Sequence, residues 1–276
     1  MPTSPTTTAI KTFTRVHARW SALPSNLRLL TTLSFTTLAL LAARFWTNYR
    51  RWKALGAGGL PYNLKGYLMN LFVEWKFAEG DTVGLGVYER PEGRFEKWVE
   101  AGEGERSAVK NGRFLKDGLR ERGGVRARAK TFVIPQREKS VGEVDAGDEK
   151  IRETYLHAFD ALHETNSNTT EWRTSVLERR GKALFLKPNM PLRTLDQQTQ
   201  REICHIHDSD LSGHVTLSLA DAREVVAKGW GERHRLSGTK FLPLGYTMMY
   251  IPRSVEEVEV YRRIFQAGVD YLASAE

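Results

Sequence analysis

The chain has a single cysteine among 276 residues, Cys204, so no disulfide can form within it and its fold does not depend on an oxidising compartment. Asp and Glu are absent from residues 1–53, which carry Lys11, Arg15, Arg19, Arg28, Arg44, Arg50, Arg51 and Lys53. These eight cations equal the whole net charge of +8, and the remaining 33 Lys and Arg balance 33 Asp and Glu. A nucleic-acid binder carries its basic surplus on the folded domain, so nucleic acid is not an expected partner. Gly-x-Gly-x-x-Gly, a Walker loop and Gly-x-Ser-x-Gly are all missing. Dinucleotide-dependent hydride transfer, phosphoryl transfer and elbow-type hydrolysis therefore lack support.

The uncharged run Leu29–Ala43 falls short of a full span, since fifteen residues at ~1.5 Å each do not cross ~30 Å of hydrocarbon. Arg44 can snorkel and extend the run through Trp46, and Phe45, Trp46 and Tyr49 stand where an interfacial aromatic belt would. The reading is a disordered basic N-terminus over 1–26 followed by a transmembrane anchor over 27–48. A mitochondrial presequence, a cleaved signal or a buried helix are its alternatives. Four basic residues precede the run and four follow it, so the charge rule assigns no orientation.

Gly56 to Pro61 reads as a linker, and the remainder, 55–276, as one α+β domain. Asn63 caps a helix whose Leu64, Tyr67, Leu68, Leu71, Phe72 and Trp75 recur at helical spacing, as a face docked on the core or laid on a membrane. Thr82–Tyr88 reads as a strand, 100–124 as an irregular excursion, Val125–Lys130 as a half-solvated strand and Pro135–Asp148 as a polar connection. Ile151–His163 is a helix with His157 and His163 on its surface. Ala183–Leu186 is a buried strand. Asp221 and Glu224 form a capping-box pattern with Lys228-Gly229 closing the helix, and Tyr246–Ile251 is a strand. Ser254 and Glu257 open a last helix packed through Val258, Tyr261, Phe265, Gly268 and Leu272.

Four of the seven histidines, His205, His207, His214 and His234, fall between Arg201 and Gly238. If Ile203–His207 is extended, His205 and His207 share a face, because strand side chains repeat every two residues. Asp208–Gly213 is turn-forming, so His214–Leu219 returns as the hairpin partner and three imidazoles converge, with His234 able to join them. Such a cluster can hold Zn or Fe, or can act without metal as bases and donors that stabilise an enolate. Cys204 points to the opposite face, as a buried bystander rather than a nucleophile.

The stretches Arg201–Asp208, Ser212–Leu217 and Lys228–His234 resemble the fungal luciferase family, as do Asn63–Tyr67, Lys182–Pro188 and Tyr250–Arg253. That family comprises membrane-associated enzymes oxidising 3-hydroxyhispidin in luminous mushrooms. The similarity spans about 55–276. It implies an α+β fold: a single compact domain with a short antiparallel sheet and flanking helices, behind an N-terminal transmembrane helix. It also implies an oxygenase that needs no cofactor, in which O2 adds to a hydroxylated pyrone and the endoperoxide loses CO2 with light. Zn or Fe at the histidines is the alternative. On this reading His205 or His207 removes the hydroxyl proton, His214 and His234 hold the oxyanion, and Asp208, Trp230, Glu232 and Arg233 bind substrate, with Trp230 stacked on its ring. The expected partners are a small-molecule substrate and a membrane, in a single-pass protein of the endoplasmic reticulum or another endomembrane. A non-luminous tailoring enzyme of secondary metabolism, or a membrane-anchored ligand-binding protein without turnover, are the competing readings. The loop Asp208–Gly213 departs from luminous members, which carry a shorter loop with a further histidine, and this bears on light emission more than on fold.

Overall fold

The computed structural model describes residues 14–95, 97–129, 132–139 and 149–275. Its contacts divide the chain into Met1–Ala54 and Leu55–Glu276. In the first unit, helix α1 (Ser25–Lys53) is long and apolar enough, by length and composition, to cross a membrane. Arg50, Arg51 and Lys53 close its last turn, where cations meet the negative end of the helix dipole. Residues 14–21 are also helical, where disorder was expected; residues 1–13 of the expected tail lie outside the described residues.

The second unit is built on six strands, β3 (Thr170–Thr174), β4 (Lys182–Leu186), β5 (Glu202–Ile206), β6 (Gly213–Thr216), β7 (Gly231–Arg233) and β8 (Tyr246–Met249). They form one sheet, every pairing antiparallel, in the order β3-β4-β5-β6-β8-β7. With its helices this is an α+β domain. Two hydrophobic faces make the layers. On one, Ile203, Cys204, Val215 and Leu217 of the sheet pack with Tyr155 and Phe159 of α5 (Glu149–Thr165) and Tyr261, Ile264 and Phe265 of α7 (Val255–Ala273). The rings interlock edge to face, Tyr155 on Tyr261 at 5.6 Å and Phe159 on Phe265 at 5.7 Å. Gly268 lets α7 approach the sheet: a Cβ there would stand 2.5 Å from Val215 Cγ2 and 3.0 Å from the Thr216 carbonyl.

The opposite face carries one continuous row. Cα register pairs Ala183 with His205, His205 with His214, His214 with Met248 and Met248 with Glu232, and directly opposed residues point the same way. A smaller cluster of Val133, Leu236, Leu242 and Tyr246 covers part of it.

Local capping differs in places from the sequence reading. Ser218, not Asp221, caps α6 (Leu219–Ala227), its hydroxyl accepting from Asp221 N–H at 3.2 Å. Thr82–Tyr88 is not a strand: the Asp81 carboxylate accepts from Val83 and Gly84 N–H, turning the chain into the short helix α3 (Gly86–Glu89). Within 100–124 lies helix α4 (Glu103–Asn111). The strand expected over Val125–Lys130 shrinks to β1 (Arg128–Ala129), paired with β2 (Glu138–Lys139). The expected polar connection is buried over Gln136, Arg137 and Glu138, and 140–148 lie outside the described residues. Helix α2 (Leu64–Phe77) begins at the Asn63 cap and packs Val73 and Phe77 on the smaller cluster, but most of the expected apolar face is not docked on the core. Tyr67 is buried, whereas Leu64, Leu68, Phe72 and Trp75 are exposed, Trp75 by 79%.

Candidate functional site

Hairpin β5–β6 places the imidazoles. His205 stands opposite His214, and His207 follows His205 by one strand repeat, so the three rings meet with centroids 4.9–5.2 Å apart. All three are buried, and their ligating nitrogens lie within 4.8 Å of one another. His205 Nε2 faces His207 Nε2 at 3.2 Å. The His214 ring stacks on Tyr246 at 4.9 Å, and its Nδ1 has no hydrogen-bond partner among the described residues.

Behind His205 stands Glu202, its Oε1 2.6 Å from Nδ1. The Ser175 hydroxyl and the Val176 and Leu177 N–H groups also donate to this carboxylate. Glu202 reaches the histidine face because β5 carries a bulge. The register passes from Leu184–Cys204 to Phe185–Glu202, skipping Ile203, and the extra residue reverses the alternation. Behind His207, Nδ1 lies 2.9 Å from Ser212 Oγ, which itself lies 2.9 Å from both Asp210 carboxylate oxygens. Strict period-two reasoning puts Glu202 on the wrong face and leaves Asp210 as a turn residue, so sequence spacing missed both. Arg137 was missed as well: its buried guanidinium pairs with Glu178 and lies 3.9 Å from Asp210.

The electrostatics follow from burial. His207 and His214 are held well below the ordinary imidazole range by loss of water, with Arg137 adding to the effect at His207 and the His207 ring adding at His214. His234 lies beside His214, ring centroids 5.4 Å apart, and burial with nearby Arg235 pushes it down to about 3. Its Nδ1 accepts from Leu236 N–H at 3.0 Å and the ring also hydrogen-bonds the Val133 backbone. Cys204 sits in the opposite core, its thiol pushed far up by burial, as a bystander should be.

A cavity of about 290 Å³ opens onto His205, His214 and His234, walled by Ile134, Leu177, Leu236, Phe241, Leu242 and Tyr246, with Gln136 and Glu178 as polar points. A second cavity of similar volume reaches His207 from the side of Arg137, Arg180 and Asp208. Asp208, exposed, therefore borders the cluster. The structure does not bring Trp230 to it: the indole is buried in the helix-covered core, its Nε1 donating to the Arg120 carbonyl at 2.8 Å and its ring meeting Tyr261 edge to face. Glu232 lies on the histidine face but beyond Met248, accepting from the Tyr250 hydroxyl and Ala129 N–H. Arg233 clamps the Asp81–Gly84 turn through two carbonyls. His157 is exposed and His163 bonds Thr170, both remote from the cluster in the fold.

The family model described as the Luciferase domain matches residues 200–268, which contain all four clustered histidines. The chain is 30% identical over 239 residues to a luciferase of Armillaria ostoyae, covering 82% of this chain and 81% of that protein. It is 29% identical to a luciferase of Armillaria mellea, with the same coverage, and 28% identical to one of Neonothopanus nambi, covering 82% of this chain and 80% of the relative. No solved structure matches.

Proposed function

The chain belongs to the fungal luciferase family, and from that premise we propose that it is a membrane-anchored, luciferase-like oxygenase adding O2 to a small hydroxylated pyrone or phenolic enol. The observation that carries this reading is the Glu202-backed His205 at the wall of a cavity with mixed aromatic and apolar sides. A carboxylate behind Nδ1 fixes that nitrogen as the donor and leaves Nε2 with its lone pair, as a general base needs. A cavity near 290 Å³ is at the lower end of ligand sites, which suits a molecule of one or two rings.

With the imidazoles free, His205 takes the enol proton and the ring becomes an electron-rich anion. That anion supplies both electrons of the new C–O bond to O2, and both oxygen atoms stay in the resulting peroxide, so no external reductant is needed. Tyr246, Leu236 and Leu242 exclude water from the anion. His234 helps by holding the wall, since its ring is engaged with backbone on the Leu236 and Val133 sides. Helix α1 supports single-pass anchoring in a membrane, where a lipophilic aromatic substrate would concentrate.

Oxygen uptake with 3-hydroxyhispidin and simpler hydroxypyrones tests the proposal. Stoichiometric O2 consumption, reduced at least a hundredfold in His205→Ala, is expected whether or not photons appear. Tight binding of the same compounds without O2 consumption would sink the oxygenase and leave a ligand-binding protein.

A further inference from the structure

The proton count around His205 and His207 does not close, and the gap has the shape of a cation. Glu202 already receives a hydroxyl and two N–H donors, so it acts as a carboxylate acceptor and His205 Nδ1 must donate to it. Ser212 has one hydroxyl proton, which the Asp210 carboxylate takes. Ser212 Oγ is then left to accept, and His207 Nδ1 must donate. Each ring's Nδ1 hydrogen is thus committed away from its neighbour. The two Nε2 lone pairs consequently point at each other across 3.2 Å, in a buried place where two acceptors repel. The third ring, His214, is 3% exposed and adds a ligating nitrogen within 4.8 Å of the others, and its own Nδ1 is unpartnered among the described residues.

We infer that His205, His207 and His214 bind a divalent first-row transition-metal ion, with its remaining coordination position open to the cavity. Three imidazoles and one open position are the ligand set of a catalytic rather than a structural centre. Metal–nitrogen bonds of about 2.1 Å at tetrahedral angles set the nitrogens about 3.4 Å apart, close to the His205–His207 separation. His214, with no hydrogen bond fixing Nδ1, is the ring able to turn and complete the set. Glu202 and the Ser212–Asp210 pair stand where ligating histidines are usually steadied, on the nitrogen away from the ion. The open position would take an anionic oxygen, such as an enolate, and the imidazoles would then act through the ion rather than as bases. This goes beyond the reaction proposed above, because it concerns what lies among the three rings whatever the cavity does.

The test uses the full chain in detergent, without a histidine tag, stripped by chelator and titrated with Co2+ and then Zn2+. About one Co2+ per chain is expected, with visible ligand-field absorption that Zn2+ abolishes. His207→Ala and His214→Ala should weaken binding at least tenfold, Glu202→Gln by roughly 10–100-fold, and His157→Ala not at all. X-ray absorption of the Zn2+-loaded wild type should show a first shell with three imidazole nitrogens, a readout that stands even if a histidine variant fails to fold. A folded wild type that takes up no stoichiometric metal, or a zinc shell of oxygens only, would overturn the inference. Metal uptake without O2 consumption leaves the metal site standing and removes the oxygenase; O2 consumption by a chain that takes up no metal does the reverse.

Discussion

Partners and burial, more than residue type, separate the four clustered histidines. His205 and His207 present their Nε2 atoms to the cluster because their Nδ1 atoms are tied to Glu202 and Ser212. His234 is tied to backbone and lines the same cavity as His205 and His214. Its pKa gives a prediction. Held at about 3 in the fold against an ordinary 6.5, the ring is neutral when folded and takes a proton when unfolded. The stability it permits is present above pH 6.5 and lost as pH falls from 6.5 toward 3, by about 1.4 kcal/mol per unit once the unfolded ring is charged. His207 and His214 act in the same direction. His234→Gln should cost about 1 kcal/mol near pH 7, through a weakened hydrogen bond, yet lose less on acidification. Urea midpoints of wild type and variant should therefore converge between pH 7 and 5, and parallel profiles would contradict the assignment.

At the scale of elements, α7 meets the sheet through a glycine. Ala in place of Gly268 gains up to about 1 kcal/mol of helix propensity but forces a Cβ against a strand side chain and a carbonyl, an overpacking worth about 1–3 kcal/mol. The wall wins, because Val215 is itself fully buried and cannot retreat. Gly268→Ala should lower stability by about 1 kcal/mol in a urea titration, and an unchanged midpoint would mean that α7 can slide. The same helix shows what sequence made legible. Ser254 caps it and Tyr261, Phe265, Gly268 and Leu272 are its buried face, as period 3.6 requires. Hairpin β5–β6 was readable too, because alternation and a turn-rich loop both point to it. The bulge at Ile203 was not, since an inserted residue leaves no trace in composition; it moves Glu202 onto the histidine face. Trp230 was misplaced for a related reason. Its motif neighbours lie on β7, but it precedes that strand and packs into the helix-covered core with Tyr261.

At the scale of the whole molecule, the charge surplus and the long apolar helix share one unit. The cationic surplus and helix α1, long and apolar enough to cross a membrane, both lie before Ala54, while Leu55–Glu276 holds its own core, sheet and histidine cluster. A span held by apolar burial resists salt, whereas attraction of Lys and Arg to anionic lipid is screened within about 10 Å at 0.1 M salt. The full chain should therefore sediment with membranes after a molar-salt wash and yield only to detergent. Release by salt alone would replace the spanning helix with a peripheral basic arm. Removing residues 1–54 should leave a folded domain whose circular dichroism lacks only the contribution of α1 and residues 14–21, but not a fully well-behaved one. Leu64, Leu68, Phe72 and Trp75 of α2 remain exposed, and a contiguous apolar face of that kind promotes association. Phe72→Ser with Trp75→Ser should make the shortened chain monodisperse at little cost in stability, because neither side chain is buried. If the shortened chain is already monodisperse without detergent, the α2 face needs no apolar surroundings and α1 alone carries the membrane attachment.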